Sequence, residues 1–179
     1  MKKSYDERRK KEQGKSPISS RPGCSRGAST LTFHFEAAQE AYKEALRYLK
    51  READPQLWAA TQVEVGGTHA ELGIRGEGKA ANEHLTDAIT AYRNALEVYT
   101  RERQPQDWAA VQTNLGNALQ AQGLRTGGSQ GNELLAQAVA AYRCALEVYT
   151  PEGFPAYHVR VEANLAKAED LLEQATAPQ

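Results

Sequence analysis

The segment from Gly73 to Ala80 comes closest to a chemical motif, because it fits the phosphate-binding frame G-x-x-x-x-G-K. That frame needs a Ser or Thr after the lysine to hold Mg²⁺, and a preceding strand to aim the loop. Ala80 stands at the hydroxyl position, the preceding pattern is helical, and the matching segment 123–130 lacks the lysine. We therefore interpret 73–81 and 123–131 as loops between helices. Nucleotide or nucleic-acid binding, through Gly78-Lys79 or through the basic residues near the N-terminus, is the weakest alternative.

Arginine recurs in both of these segments, as Arg75 and Arg125. Repeat symmetry favours pairing with acidic groups of a neighbouring unit, and anion binding near the next helix N-terminus is the alternative.

The remaining chemistry-bearing residues show no spacing typical of a metal or catalytic site. His34 and His84 are 50 residues apart and so fall on successive helices. The other histidines are His69 and His158, and the cysteines are Cys24 and Cys144. No nucleophile–base arrangement stands out, so the sequence predicts a protein that is not an enzyme, with no metal and no cofactor.

Charge is distributed unevenly along the 179 residues, although the net charge is only -1. Residues 1–30 carry nine Lys or Arg against three Asp or Glu, and are predicted to form a disordered basic tail. Its basic run 8–11 has no interleaved aromatics, so specific nucleic-acid binding is not supported. No apolar stretch is long enough for a membrane span or follows the tail as a signal sequence would, so we expect a cytoplasmic protein.

Two patterns repeat every 50 residues, which is typical of a stacked helical array. One is Ala-Tyr-x-x-Ala-Leu at 41–46, 91–96 and 141–146, and the other begins at Pro55, Pro105 and Pro155. Apolar spacing of i, i+3, i+4 and i+7 predicts an all-α fold of about six helices. Their expected ranges are 32–52, 55–72, 82–102, 105–122, 132–150 and 155–175, in units of about 31–80, 81–130 and 131–175, with a C-terminal tail at 176–179. Asp54 is the expected N-cap before Pro55, and Gly123 is expected to end its helix.

The residues Asn114 to Leu119, followed by Ala138, Tyr142, Ala145 and Leu146, resemble the tetratricopeptide repeat across 31–175. The 50-residue period and the longer predicted loops depart from that family's usual 34 residues. The resemblance implies a right-handed α-solenoid of stacked antiparallel helix pairs. It also implies a non-enzymatic scaffold for protein–protein interaction, with a peptide or protein segment on the concave surface lined by the first helix, helix A, of each pair.

Mapping that surface onto this chain gives a set of candidate partner-binding residues: Glu64, Glu71, Thr113, Asn114, Asn117, Gln120, Arg160, Asn164 and Lys167. For Asn114 and Asn164, hydrogen bonding between helices is an equally open interpretation. Trp58 and Trp108 are expected to fill the junction between units rather than to anchor a partner. The alternative function is an oligomerising or regulatory fragment of a larger bacterial signalling protein, with self-association through the open first helix.

Overall fold

The computed structural model describes residues 26–176, with side chains from residue 34 onward, and every regular element in that range is a helix. The helices are α1 (Arg26–Tyr48), α2 (Pro55–Arg75), α3 (Gly78–Leu96), α4 (Pro105–Thr126), α5 (Gly128–Leu146) and α6 (Pro155–Thr176). The all-α prediction is therefore confirmed for the described residues. Residues 1–25 of the predicted tail lie outside them, whereas 26–30 belong to α1.

Helices α2, α4 and α6 begin at the three prolines of the repeat, 50 residues apart. The first helical position suits proline, because its missing N–H would have no partner there. Asp54 is the N-cap of α2, and its Oδ1 accepts a hydrogen bond from Leu57 N at 3.0 Å. Both features of the helix starts were predicted from the sequence and are confirmed.

The predicted loops at 73–81 and 123–131 are wrong. Helix α2 continues through Gly73 to Arg75, and only residues 76 and 77 separate it from α3. Gly127 alone separates α4 from α5, with a φ of 64° that favours glycine. The extra residues of the 50-residue unit thus lengthen both helices of a pair instead of their loop.

Close helix packing explains why Gly73 and Gly123 do not end their helices. A Cβ on Gly73 would lie 2.6 Å from Leu85 Cγ, and one on Gly123 would lie 2.9 Å from the carbonyl oxygen of Gly131. Only glycine lets the two backbones approach this closely at the closed end of the pair. These glycines are contact residues, not helix stops.

The helix pairs are antiparallel, since Gly73 of α2 faces Leu85 of α3 while the earlier Gly66 faces the later Tyr92. Gly116 of α4 receives Tyr142 of α5 in the same way. Both tyrosines are almost fully buried and lie in one core cluster together with Ala95 and Ala145 of the repeated pattern.

The second helix of each pair begins and ends earlier than predicted, as α3 spans Gly78–Leu96 and α5 spans Gly128–Leu146. The apolar pattern extends beyond the ends of these helices because Tyr99 and Tyr149, in the turns that follow, also pack against the core. Helix α1 likewise ends at Tyr48, before the predicted residue 52.

Neighbouring units are joined by contacts that recur at the same 50-residue spacing. Arg51 pairs with Glu97, and Arg101 pairs with Glu147. Each of these arginines lies in the turn that precedes a helix pair and reaches the end of that pair's second helix. The sequence period therefore corresponds to a period of inter-unit contacts.

Candidate partner-binding surface

An open depression of about 200 Å³ lies between α2 and α4. We call it the α2–α4 groove, and its lining residues are Ala60, Val63, Glu64, Tyr99, Asp107, Ala110 and Val111. Small and branched apolar side chains from both helices line it together with two carboxylates. This combination suits an aliphatic stem that carries a positive charge, as in lysine or arginine.

The electrostatics of the groove come mainly from Glu64 and Asp107. Both residues are exposed, and Asp107 lies in the first turn of α4, where the helix dipole favours negative charge. Burial raises the pKa of Tyr99, and the Asp107 carboxylate raises it further, so the phenol stays neutral beside the acid. The groove is thus a negative site with an apolar component.

The nine predicted partner-binding residues differ widely in exposure. Glu64, Arg160 and Lys167 are exposed; Glu71, Asn114, Asn117 and Asn164 are half-buried; Thr113 and Gln120 are buried. Glu64 is the only one of them that lines the α2–α4 groove.

Several of the predicted amides take part in a network between helices. The Tyr142 hydroxyl donates to Asn117 Oδ1 at 2.8 Å and lies 3.2 Å from Gln120 Oε1. Asn164 Nδ2 of α6 donates to the same Asn117 oxygen at 3.1 Å. Buried Thr113 donates its hydroxyl to the Ala109 carbonyl of its own helix. Asn164 therefore makes the hydrogen bond between helices that the sequence left open for it, through its amide nitrogen.

The two shared arginines make different contacts. Arg125 Nη2 donates to the carbonyl oxygens of Gly73, Ile74 and Gly76 at 2.9, 3.2 and 2.8 Å. It therefore caps the C-terminus of α2, whose last carbonyls have no partner within the helix. Arg75 instead pairs with Glu71 of its own helix at 2.6 Å. The predicted contact with the neighbouring unit exists for Arg125, but it is made to backbone carbonyls and not to acidic side chains.

Both tryptophans lie against the core. Trp58 and Trp108 are half-buried and pack on the buried cluster, and the Arg51 guanidinium lies 5.5 Å from the centre of the Trp58 ring. Packing against the core is the arrangement that the sequence favoured over anchoring a partner.

Sequence reasoning missed one side-chain cluster, formed by His69 of α2 with His84 and Asp87 of α3. The two Nδ1 atoms are 3.1 Å apart, and Asp87 Oδ2 lies 3.5 Å from His69 Nδ1. Gln39 Nε2 of α1 approaches His69 Nε2 at 3.0 Å. Burial lowers the pKa of His69; Asp87 raises it, while His84 and Lys43 lower it further.

A signal for this cluster was present in the sequence. His69 and His84 lie at equal distances from the two-residue linker at 76–77. Equal distances from a tight turn bring residues of an antiparallel pair side by side. The assumption of a nine-residue loop at 73–81 hid this symmetry.

Comparison of the chain with models of protein families, with curated proteins and with solved structures finds no match. Among the helices of residues 26–176, none combines the length and the apolar character that crossing a membrane requires. The class established by the fold is thus an all-α protein of packed helix pairs.

Proposed function

We propose that the protein is a non-enzymatic interaction module of tetratricopeptide-like, right-handed solenoid form. Its ligand is an extended protein segment, and a lysine or arginine of that segment occupies the α2–α4 groove. The observation that carries the proposal is the pairing of two exposed carboxylates with an apolar lining between successive first helices.

The packing of the helices supports a ligand surface on the side of α2, α4 and α6. These first helices touch one another directly, α2 with α4 and α4 with α6. Helices α3 and α5 meet through long side chains, as where Arg93 Nη2 donates to Gln137 Oε1 at 2.8 Å. Closer approach on one side favours an array that curves toward that side, which is where the resemblance puts the ligand.

The two components of the groove contribute differently to binding. An exposed ion pair contributes only about 0.2–1 kcal/mol. The apolar lining must therefore supply most of the affinity, by covering the methylenes of the ligand's basic side chain. Shortening that side chain should weaken binding more than raising the salt concentration does.

The test is selection of twelve-residue peptides from a random display library against the full chain, followed by affinity measurement on variants. We expect the selected peptides to be enriched in lysine and arginine. Glu64→Gln/Asp107→Asn should weaken their binding by about two- to thirtyfold, as expected for the loss of two exposed ion pairs. Glu133→Gln is the matched control, because Glu133 is an exposed carboxylate on α5, away from the groove. Equal losses in both variants, or no basic enrichment, would contradict the proposal.

The contrast between Arg125 and Arg75 favours one second candidate function, self-association. Arg125 caps the helix C-terminus of the unit before it, whereas Arg75, its counterpart, contacts only Glu71 among the partners described for it. The C-terminal end of a helix from a second copy would offer Arg75 carbonyl acceptors equivalent to those that Arg125 contacts. Light scattering should then show a concentration-dependent dimer that Arg75→Ala weakens, and a monomer at every concentration would exclude this candidate.

A further inference from the structure

His69, His84 and Asp87 place three metal-binding side chains at one point between α2 and α3. One ligand atom from each residue lies within 4.8 Å of the other two. His84 and Asp87 are three positions apart on α3 and so share a face, while His69 reaches them from α2. The side chain of His69 is 4% exposed and that of Asp87 is 61% exposed. The cluster therefore has a fixed inner ligand and a side open to solvent.

The repeat shows that packing alone does not require these residues. At the equivalent positions of the next unit stand Leu119, Leu134 and Gln137. Leu119 is buried, and Leu134 packs against the same core cluster. The helix pair of the next unit is thus built with two leucines at the positions where the first unit has two histidines.

The spacing of the ligand atoms matches a tetrahedral zinc site. Zinc–nitrogen distances of about 2.0–2.1 Å put neighbouring ligand atoms of a tetrahedron about 3.3 Å apart. Here the two histidine nitrogens are separated by 3.1 Å, and His69 Nδ1 is 3.5 Å from Asp87 Oδ2. The third distance, between His84 and Asp87, is within 4.8 Å, so the exposed Asp87 side chain must rotate to bring all three ligands onto one ion.

The surroundings provide an outer contact for the buried histidine. Gln39 lies 3.0 Å from His69 Nε2, and its amide oxygen reaches that nitrogen if the amide is rotated by half a turn. The amide oxygen would then accept a hydrogen bond from Nε2–H and so leave the Nδ1 lone pair for the metal, as outer contacts of zinc-binding histidines commonly do. The Lys43 ammonium opposes a cation, but it forms an ion pair with Glu40 at 3.1 Å.

We propose that His69 Nδ1, His84 Nδ1 and the Asp87 carboxylate bind a divalent transition-metal ion of the zinc class. Water fills the fourth position on the side of Asp87. The ion ties α2 to α3 and, through Gln39, contacts α1. This site shares no residue with the α2–α4 groove, so a chain that binds no metal could still bind a peptide as proposed.

The test is titration of the untagged, chelator-treated full chain with ZnCl₂ in a calorimeter, and with CoCl₂ in a visible-light spectrometer. We expect one ion per chain, the absorption band of four-coordinate Co²⁺, and a higher Tm with Zn²⁺ present. His69→Leu/His84→Leu introduces the leucines of the next unit, so it should keep the helical circular dichroism spectrum. It should weaken Zn²⁺ binding at least 100-fold.

Two further variants separate the cluster from general histidine or carboxylate binding. Asp87→Asn should weaken Zn²⁺ at least tenfold. His158→Gln should leave the affinity unchanged, because His158 Nδ1 donates to the Tyr149 carbonyl at 2.8 Å, away from the cluster. The proposal is overturned if the wild type binds no Zn²⁺ at micromolar concentration, or if the double leucine variant binds it as tightly as the wild type.

Discussion

Two adjacent glycines of α2 should respond in opposite ways to alanine. A Cβ at Gly66 would lie 2.6, 2.7 and 2.9 Å from the Cε1, Cδ1 and Cζ atoms of Tyr92, whereas the nearest atom to a Cβ at Gly67 is the Tyr92 hydroxyl at 3.9 Å. Carbon atoms pack best at about 3.5–4.0 Å, so Gly66→Ala requires the ring to move by roughly 1 Å. Tyr92 is only 2% exposed, which leaves little room for that movement.

The difference between the two variants isolates the cost of this clash. In both variants helix propensity adds about 1 kcal/mol to the free energy of unfolding, because alanine forms helices better than glycine does. Only Gly66→Ala adds the overpacking term, which is about 1–3 kcal/mol in a well-packed core. We expect Gly67→Ala to be more stable than the wild type by up to about 1 kcal/mol, and Gly66→Ala to be less stable than Gly67→Ala by about 1–3 kcal/mol.

Urea unfolding followed by both circular dichroism and tryptophan fluorescence measures this difference. Coincident curves from the two probes would justify a two-state free energy. In a Tyr92→Leu background the cost of Gly66→Ala should shrink, since the ring that it meets is gone. Equal stability of the Gly66→Ala and Gly67→Ala proteins would refute the packing described for α2 and α3.

Three other changes test the helix ends and the core. Arg125→Ala should lower the free energy of unfolding by about 1–2 kcal/mol, because the carbonyls of Gly73, Ile74 and Gly76 lose a charged donor. Arg75→Ala should lower it by less than about 0.5 kcal/mol, since only an ion pair within the helix is lost, and thermal unfolding compares the two variants. Asp54→Ala should lower the free energy of unfolding by about 1 kcal/mol, because the N-cap of α2 is lost. Gln104→Asp should raise it by up to about 1 kcal/mol, because Gln104 makes no side-chain cap bond to α4. Urea midpoints that move while the slope stays unchanged would show both effects. Burial raises the pKa values of Tyr92 and Tyr142 above the ordinary 10.0, so above pH 10 the unfolded chain releases protons that the native state retains. The free energy of unfolding should therefore fall as the pH rises above 10, and less steeply in Tyr92→Phe/Tyr142→Phe; equal slopes would contradict this reasoning.

The helices could be predicted from sequence because apolar periodicity is local. Pro55, Pro105 and Pro155 gave the starts of α2, α4 and α6, and Asp54 gave a cap. The ends were harder to predict, since Gly73 and Gly123 have the composition of a loop. Their role depends on Leu85 and Gly131 of the partner helix, which no single helix pattern reveals.

The candidate sites were predictable only in part, because they depend on residues from different helices. Glu64 was identified from its place on the first helix, but Asp107, which lies with it in the groove, was not. The pairing of His69 with His84 requires the correct length of the linker at 76–77. A local error of a few residues at a turn thus hid a contact between two helices.

Amide chemical shifts of the 19.7 kDa chain, measured with a selected lysine-containing peptide, test the central claim most directly. Binding in the α2–α4 groove predicts the largest shifts at Ala60, Val63, Ala110 and Val111, with α3 and α5 nearly unchanged. At the same peptide concentration these shifts should be smaller in Glu64→Gln/Asp107→Asn and unchanged in Glu133→Gln. Shifts centred on α3 and α5, or unaffected by the charge-removing variant, would contradict a ligand surface on the first helices.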